Sequence, residues 1–91
     1  MALVKNINGS SDNNPPRGYN SWKEYWEDKK NRFFSKCSCV TCSEKAVFGG
    51  HVKMVHGTNK WFIVPICARH NNVANTIAYE VKDDDLLAVN Q

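Results

Sequence analysis

Ninety-one residues, 42% of them hydrophobic and 23% charged, suffice for one small domain and exclude a second, since a chain this short buries only about 60 to 65% of its unfolded surface. The formal charge of +3 is too small to name a nucleic-acid partner by itself, and no apolar run approaches the roughly 18 residues that span a membrane. With four cysteines, no signal-peptide pattern and little core to draw on, the expected setting is a reducing cytoplasm, where clustered thiols serve as metal ligands.

Ala2 to Ile7 has the composition of a short strand, and Asn8 to Pro16 is a dense cluster of turn formers with almost nothing to bury. Residues 1–20 are therefore expected as a loop-rich lead-in, and residues 21–91 as a single α+β domain stabilised by zinc. Ser21 with Glu24 three residues later forms a capping-box pattern that starts a helix. Trp22, Tyr25, Trp26, Phe33 and Phe34 recur near helical spacing and give an aromatic stripe, expected to pack in the core, with stacking on single-stranded bases as the alternative.

The charge is unevenly spread, with ten Lys or Arg against five Asp or Glu over residues 1–60 and two against four over residues 61–91. Lys23, Lys29, Lys30, Arg32 and Lys36 form the densest basic cluster. Such a face is either a solvated helix surface or a docking site for DNA or RNA phosphates.

Ala46 to Val55 is strand-like but interrupted by Gly49 and Gly50. Lys60 to Pro65 carries the strongest strand signal, and His56-Gly57-Thr58-Asn59 links the two as a β-hairpin. Pro65 is expected to close the second strand because it cannot donate to a ladder, and Cys67 to Thr76 to form a helix. The tail from Ile77 to Val89 reads as apolar pieces split by Asp83-Asp84-Asp85, a solvated turn; periodicity leaves Leu86 to Val89 open between strand and helix.

Zinc requires four soft or borderline donors at tetrahedral corners, and two close pairs far apart in sequence supply them. Cys67-x-x-His70 presents a thiolate and an imidazole three residues apart on one face of a helical turn. The other pair comes from Cys37-Ser38-Cys39-Val40-Thr41-Cys42, where spacing allows Cys39 with Cys42 or Cys37 with Cys42. A zinc knuckle, a β-hairpin and a Cys-x-x-His at a following helix is the order of a treble clef, and the four donors would hold one structural zinc ion.

Cys37 to Cys42, Gly49-Gly50-His51-Val52 and Trp61 to Asn71 together resemble the HNH endonuclease superfamily and its noncatalytic treble-clef relatives over about residues 37 to 72. Lys5 to Asp12 and the helix at Ser21-Trp22 also resemble a group of small proteins that share these zinc motifs. The resemblance implies Cys37 rather than Cys39 as the partner of Cys42, His51 as a general base that activates water, and Asn71 as a ligand to a second divalent cation on the scissile phosphate. Gly50 departs from the pattern, because an Asp commonly precedes that histidine and a hard cation favours carboxylate ligands. The expected function is a noncatalytic zinc domain that binds nucleic acid or a protein through its basic helix face. The alternative is a metal-dependent endonuclease that uses His51, which otherwise serves as a structural histidine in the hairpin or as a substitute zinc ligand. The sequence does not specify an oligomeric state.

Overall fold

The computed structural model describes residues 1–7, 15–57, 60–71 and 77–89. Among the described residues the chain runs through β1 (Ala2–Asn6), α1 (Trp22–Lys30), β2 (Phe48–Met54), β3 (Trp61–Ile66), β4 (Tyr79–Val81), a 3-10 turn (Asp83–Asp85) and β5 (Leu87–Ala88). This is an α+β arrangement of one helix on a five-stranded antiparallel sheet, with strand order β4-β1-β2-β3-β5. No helix among these residues is long and apolar enough to cross a membrane.

The lead-in expected over residues 1–20 supplies β1, which lies between β4 and β2 and pairs with both. The body of the sheet therefore begins at Ala2 rather than at residue 21. Most of the expected turn cluster, residues 8–14, lies outside the described residues.

Ser21 caps α1 as the capping-box spacing predicts, its hydroxyl accepting the Glu24 N–H at 3.1 Å and satisfying a donor that the first helical turn leaves unpaired. Asn31 ends the helix in the left-handed region at φ 58°, a conformation that asparagine tolerates better than most residues. This early end divides the aromatic stripe. Trp26 is fully buried, with its Nε1 donating to the Asp85 carbonyl at 2.8 Å, and Phe34 packs edge-on against it at 5.1 Å. Phe33 falls past the helix and is 84% exposed, so it does not join the core.

The hairpin forms as expected, with β2 pairing β3 from Phe48↔Ile66 to Lys53↔Trp61. Pro65 does not close β3, which continues to Ile66. The physical reason is directional: a strand residue's nitrogen and carbonyl point to the same edge. Pro65's carbonyl accepts the Ser38 N–H at 2.7 Å, so its missing N–H also faces away from β2 and removes no rung of the hairpin.

Alternation along the strands gives the sheet two different faces. One carries Ala2, Val4, Val52, Val64, Ile66, Tyr79 and Val81, packed with Cys37, Cys39 and Cys67. The other carries His51 and Ile63 beneath α1. Gly49 and Gly50 admit a close neighbour on each. A Cβ at Gly49 would come within 2.9 Å of Trp22 Cβ on the helix side, and one at Gly50 within 2.1 Å of Ile66 Cδ1 on the other.

The Asp83–Asp85 turn is not wholly solvated. Asp85 is 5% exposed and receives Arg32 at 2.7 Å, while a second Arg32 contact reaches the Asp84 carbonyl at 2.8 Å. Leu87–Ala88 forms a short edge strand beside β3. The helix expected over residues 67–76 appears, as far as residue 71, as a turn in which the Asn71 N–H donates to the Cys67 carbonyl at 3.0 Å; residues 72–76 lie outside the described set.

Candidate metal centre

The first pair of donors is set by a tight loop closed by backbone pairing. Ala46 N–H donates to the Ser35 carbonyl at 2.9 Å and Cys37 N–H to the Glu44 carbonyl at 2.8 Å. Inside this closure the Cys42 N–H bonds the Cys39 carbonyl at 3.0 Å, turning the chain so that Cys42 faces back toward Cys37. The second pair follows β3 directly, where the turn through residues 68–71 folds His70 over Cys67.

The donor atoms of Cys37, Cys42, Cys67 and His70 all lie within 4.8 Å of one another and could hold one metal ion. Zinc bonds of about 2.3 Å to sulfur and about 2.0 Å to nitrogen imply tetrahedral edges of about 3.8 Å between sulfurs and about 3.5 Å between sulfur and nitrogen. The observed separations are 3.9 Å for Cys42 Sγ to Cys67 Sγ, 3.7 Å for Cys37 Sγ to His70 Nδ1 and 3.2 Å for Cys67 Sγ to His70 Nδ1. A disulfide needs about 2.05 Å, and all four thiols are free. The donor set fits a tetrahedral ion.

Cys39 stands outside this group. It is 3% exposed, its backbone bridges Val81, and its Sγ lies 3.5 Å from Thr41 Oγ1. Spacing alone left Cys37 and Cys39 open, and the structure brings Cys37 to the cluster.

The electrostatics of the site divide the thiols. Burial pushes the Cys37 thiol up to about 12, outweighing the N–H groups of Cys39 and Cys67 that bond its sulfur and favour the thiolate. Cys42 is shifted down, chiefly by the Glu44 N–H at its sulfur, with the Arg69 guanidinium 4.0 Å away among the lesser causes. Burial and then the neighbouring Arg69 charge lower the His70 pKa, favouring the neutral imidazole that metal ligation requires. Backbone N–H groups aimed at cysteine sulfurs are the supporting contacts that orient ligands and stabilise thiolates.

Two supporting residues were not legible in the sequence. Asn6 Nδ2 donates to the His70 carbonyl at 2.6 Å, and the Tyr79 hydroxyl donates to Asn6 Oδ1 at 2.6 Å. The Tyr79 ring also lies 5.2 Å from the imidazole. No local motif marks Asn6 or Tyr79, because both reach the site only through the pairing of β1 and β4.

His51 and Asn71 are not brought together. Gly50 faces Ile66 and Asn71, so the next residue along β2, His51, faces the opposite side. There it is 8% exposed, with its ring 4.6 Å from Trp22 and 6.0 Å from Trp61. Its Nε2 is buried without a hydrogen-bond partner among the described residues, and burial lowers its pKa. His51 is also on the other face from the Cys3His group, and His56 is exposed at the hairpin end.

The basic residues occupy α1 and the segment after it. Lys23 Nζ lies 5.8 Å from the Phe34 ring, Lys29 Nζ lies 5.8 Å from the Tyr25 ring, Lys30 is half-buried and Lys36 is exposed. Arg32 differs, since its guanidinium is committed to Asp85 and lies 4.8 Å from the Trp26 ring. No family model matches this chain, and no curated protein or solved structure matches it either.

Proposed function

We propose that this chain is a noncatalytic, zinc-stabilised treble-clef domain that binds nucleic acid through the basic surface of α1 and the segment following it. The observation that carries the zinc reading is the near-tetrahedral spacing of Cys37, Cys42, Cys67 and His70. Three thiolates and one imidazole suit zinc, and four protein ligands leave no open position for substrate, which is the pattern of a structural site. A closed site of this kind stabilises a small domain by an apparent order of 10 kcal/mol.

The noncatalytic reading is supported by His51. A general base must come within hydrogen-bond reach of the water it activates, and His51 lies beneath α1 between two indole rings. The nucleic-acid reading is supported by Lys23, Lys29, Lys30 and Lys36 within residues 23–36, where they outnumber Glu24, Glu27 and Asp28, with the exposed Phe33 among them.

Elemental analysis should find one zinc per chain, and a strong chelator should abolish the dispersed NMR spectrum. Binding of single- or double-stranded DNA or RNA, followed by fluorescence anisotropy, should weaken steeply with added salt as condensed counterions are released. Native dispersion in metal-free protein would overturn the zinc reading, and no binding at low ionic strength would overturn the nucleic-acid reading.

A further inference from the structure

A cavity of about 740 Å³ opens between the segment after α1 and the Asp83–Asp85 turn, away from the Cys3His group. Its volume is within the range of small-ligand pockets. Arg32, Phe33, Lys36, Lys82, Asp83 and Asp84 are among the residues that line it. Phe33 is 84% exposed, whereas the adjacent Phe34 is packed against Trp26. The Phe33 ring is thus presented at the cavity and contributes little to the core.

The remaining chemistry is mixed and ordered. Arg32 is held by Asp85 and by the Asp84 carbonyl, which fixes one wall. Lys36, Lys82, Asp83 and Asp84 are all exposed at the cavity. An aromatic face takes a flat ring, an ammonium takes a phosphate, and a carboxylate's two oxygens accept two adjacent N–H donors. A guanine nucleotide has all three complements, since its N1–H and N2–H2 lie side by side on the edge that a duplex would occupy. Adenine and uracil present only one donor on that edge.

We propose that this cavity binds a guanine nucleotide unit, stacked on Phe33, with Asp84 at the base edge and Lys36 and Lys82 at the phosphate. In a nucleic acid the base must be unpaired, because pairing covers the edge that the carboxylate reads. The inference deepens the nucleic-acid reading and rests on it for its strand-bound form, whereas a free nucleotide carries the same chemistry.

The test uses the zinc-loaded full chain. Guanosine monophosphate, adenosine monophosphate and a short thymidine oligonucleotide with and without one guanine are titrated in turn, with backbone amide shifts as the readout. Shifts at residues 32–36 and 82–84 that favour both guanine probes are expected. Phe33→Ala should weaken guanine binding about tenfold with an unchanged melting midpoint, and Asp84→Asn should erase the preference over adenine. Oligonucleotide binding that ignores guanine and survives Phe33→Ala would overturn the pocket while leaving the nucleic-acid reading intact. Guanosine monophosphate binding without oligonucleotide binding would support the pocket as a free-nucleotide site and overturn the nucleic-acid reading. Equal binding of all nucleotides would overturn base recognition.

Discussion

Replacing Cys37 and Cys39 separately by alanine tests the metal centre against its nearest alternative. Cys37 contributes a donor 3.7 Å from His70 Nδ1, whereas Cys39 is a core thiol whose backbone pairs with Val81. Removing a residue that merely supports a metal ligand typically costs 10- to 100-fold in affinity, so removing a ligand should cost more than about 3 kcal/mol of metal-linked stability. For a chain this long the unfolding entropy is about 0.19 kcal/mol per kelvin, and 1 kcal/mol moves the melting midpoint by about 5 °C. Cys37→Ala should therefore lower the midpoint by at least about 15 °C. Cys39→Ala, losing only core packing, should cost about 1 kcal/mol, or about 5 °C. Cobalt substitution provides the site-specific assay, because tetrahedral thiolate coordination gives intense visible and charge-transfer absorption. Cys39→Ala should keep that spectrum and Cys37→Ala should lose it. The reverse result, or an unchanged spectrum in both, would refute the assignment.

Three further outcomes follow from the packing. Gly50→Ala places a methyl 2.1 Å from Ile66 Cδ1 and 2.7 Å from Cγ1, and Ile66 is fully buried; overpacking should destabilise by about 1 to 3 kcal/mol in urea unfolding. Arg32→Gln leaves the buried Asp85 carboxylate without its counter-ion, at a cost of about 2 kcal/mol once the half-exposed Arg32 is discounted for screening, and Asp85→Asn in the same chain should recover part of it. Burial lowers the His51 pKa from its ordinary 6.5, so the unfolded chain takes up the proton first. Stability from this group is whole above about pH 6.5 and declines as pH falls through the depressed folded value. His51→Phe should flatten that acid decline relative to wild type, measured by urea midpoints on both proteins, and an identical pH slope would refute the assignment.

Features decided by neighbouring residues were legible in the sequence. The Ser21 cap, the hairpin, and the Cys67-x-x-His70 spacing each depend on a few residues, and each was read from them. Features decided by distant pairing were not. Spacing admits either Cys37 or Cys39 as the partner of Cys42, and only the resemblance pointed to Cys37; the structure separates them because the Cys39 backbone pairs with Val81, and Asn6 acquires its contact to His70 only when β1 enters the sheet. Asp85 reads as one member of a solvated acidic run because its partner, Arg32, is far away in sequence. Phe33 was misplaced for a local reason, since Asn31 ends the helix before the aromatic spacing does.

The interior position of β1, between β4 and β2, has a consequence for folding. Its two hydrogen-bonding neighbours lie far along the sequence, β2 after the cysteine loop and β4 after His70, so β1 joins the sheet only through long-range contacts. A chain halted before Cys67 would hold the ligand thiols Cys37 and Cys42 without Cys67 and His70, and an unfinished sheet. Metal capture and sheet closure should thus be completed together, because Cys67, His70 and β4 all follow β3.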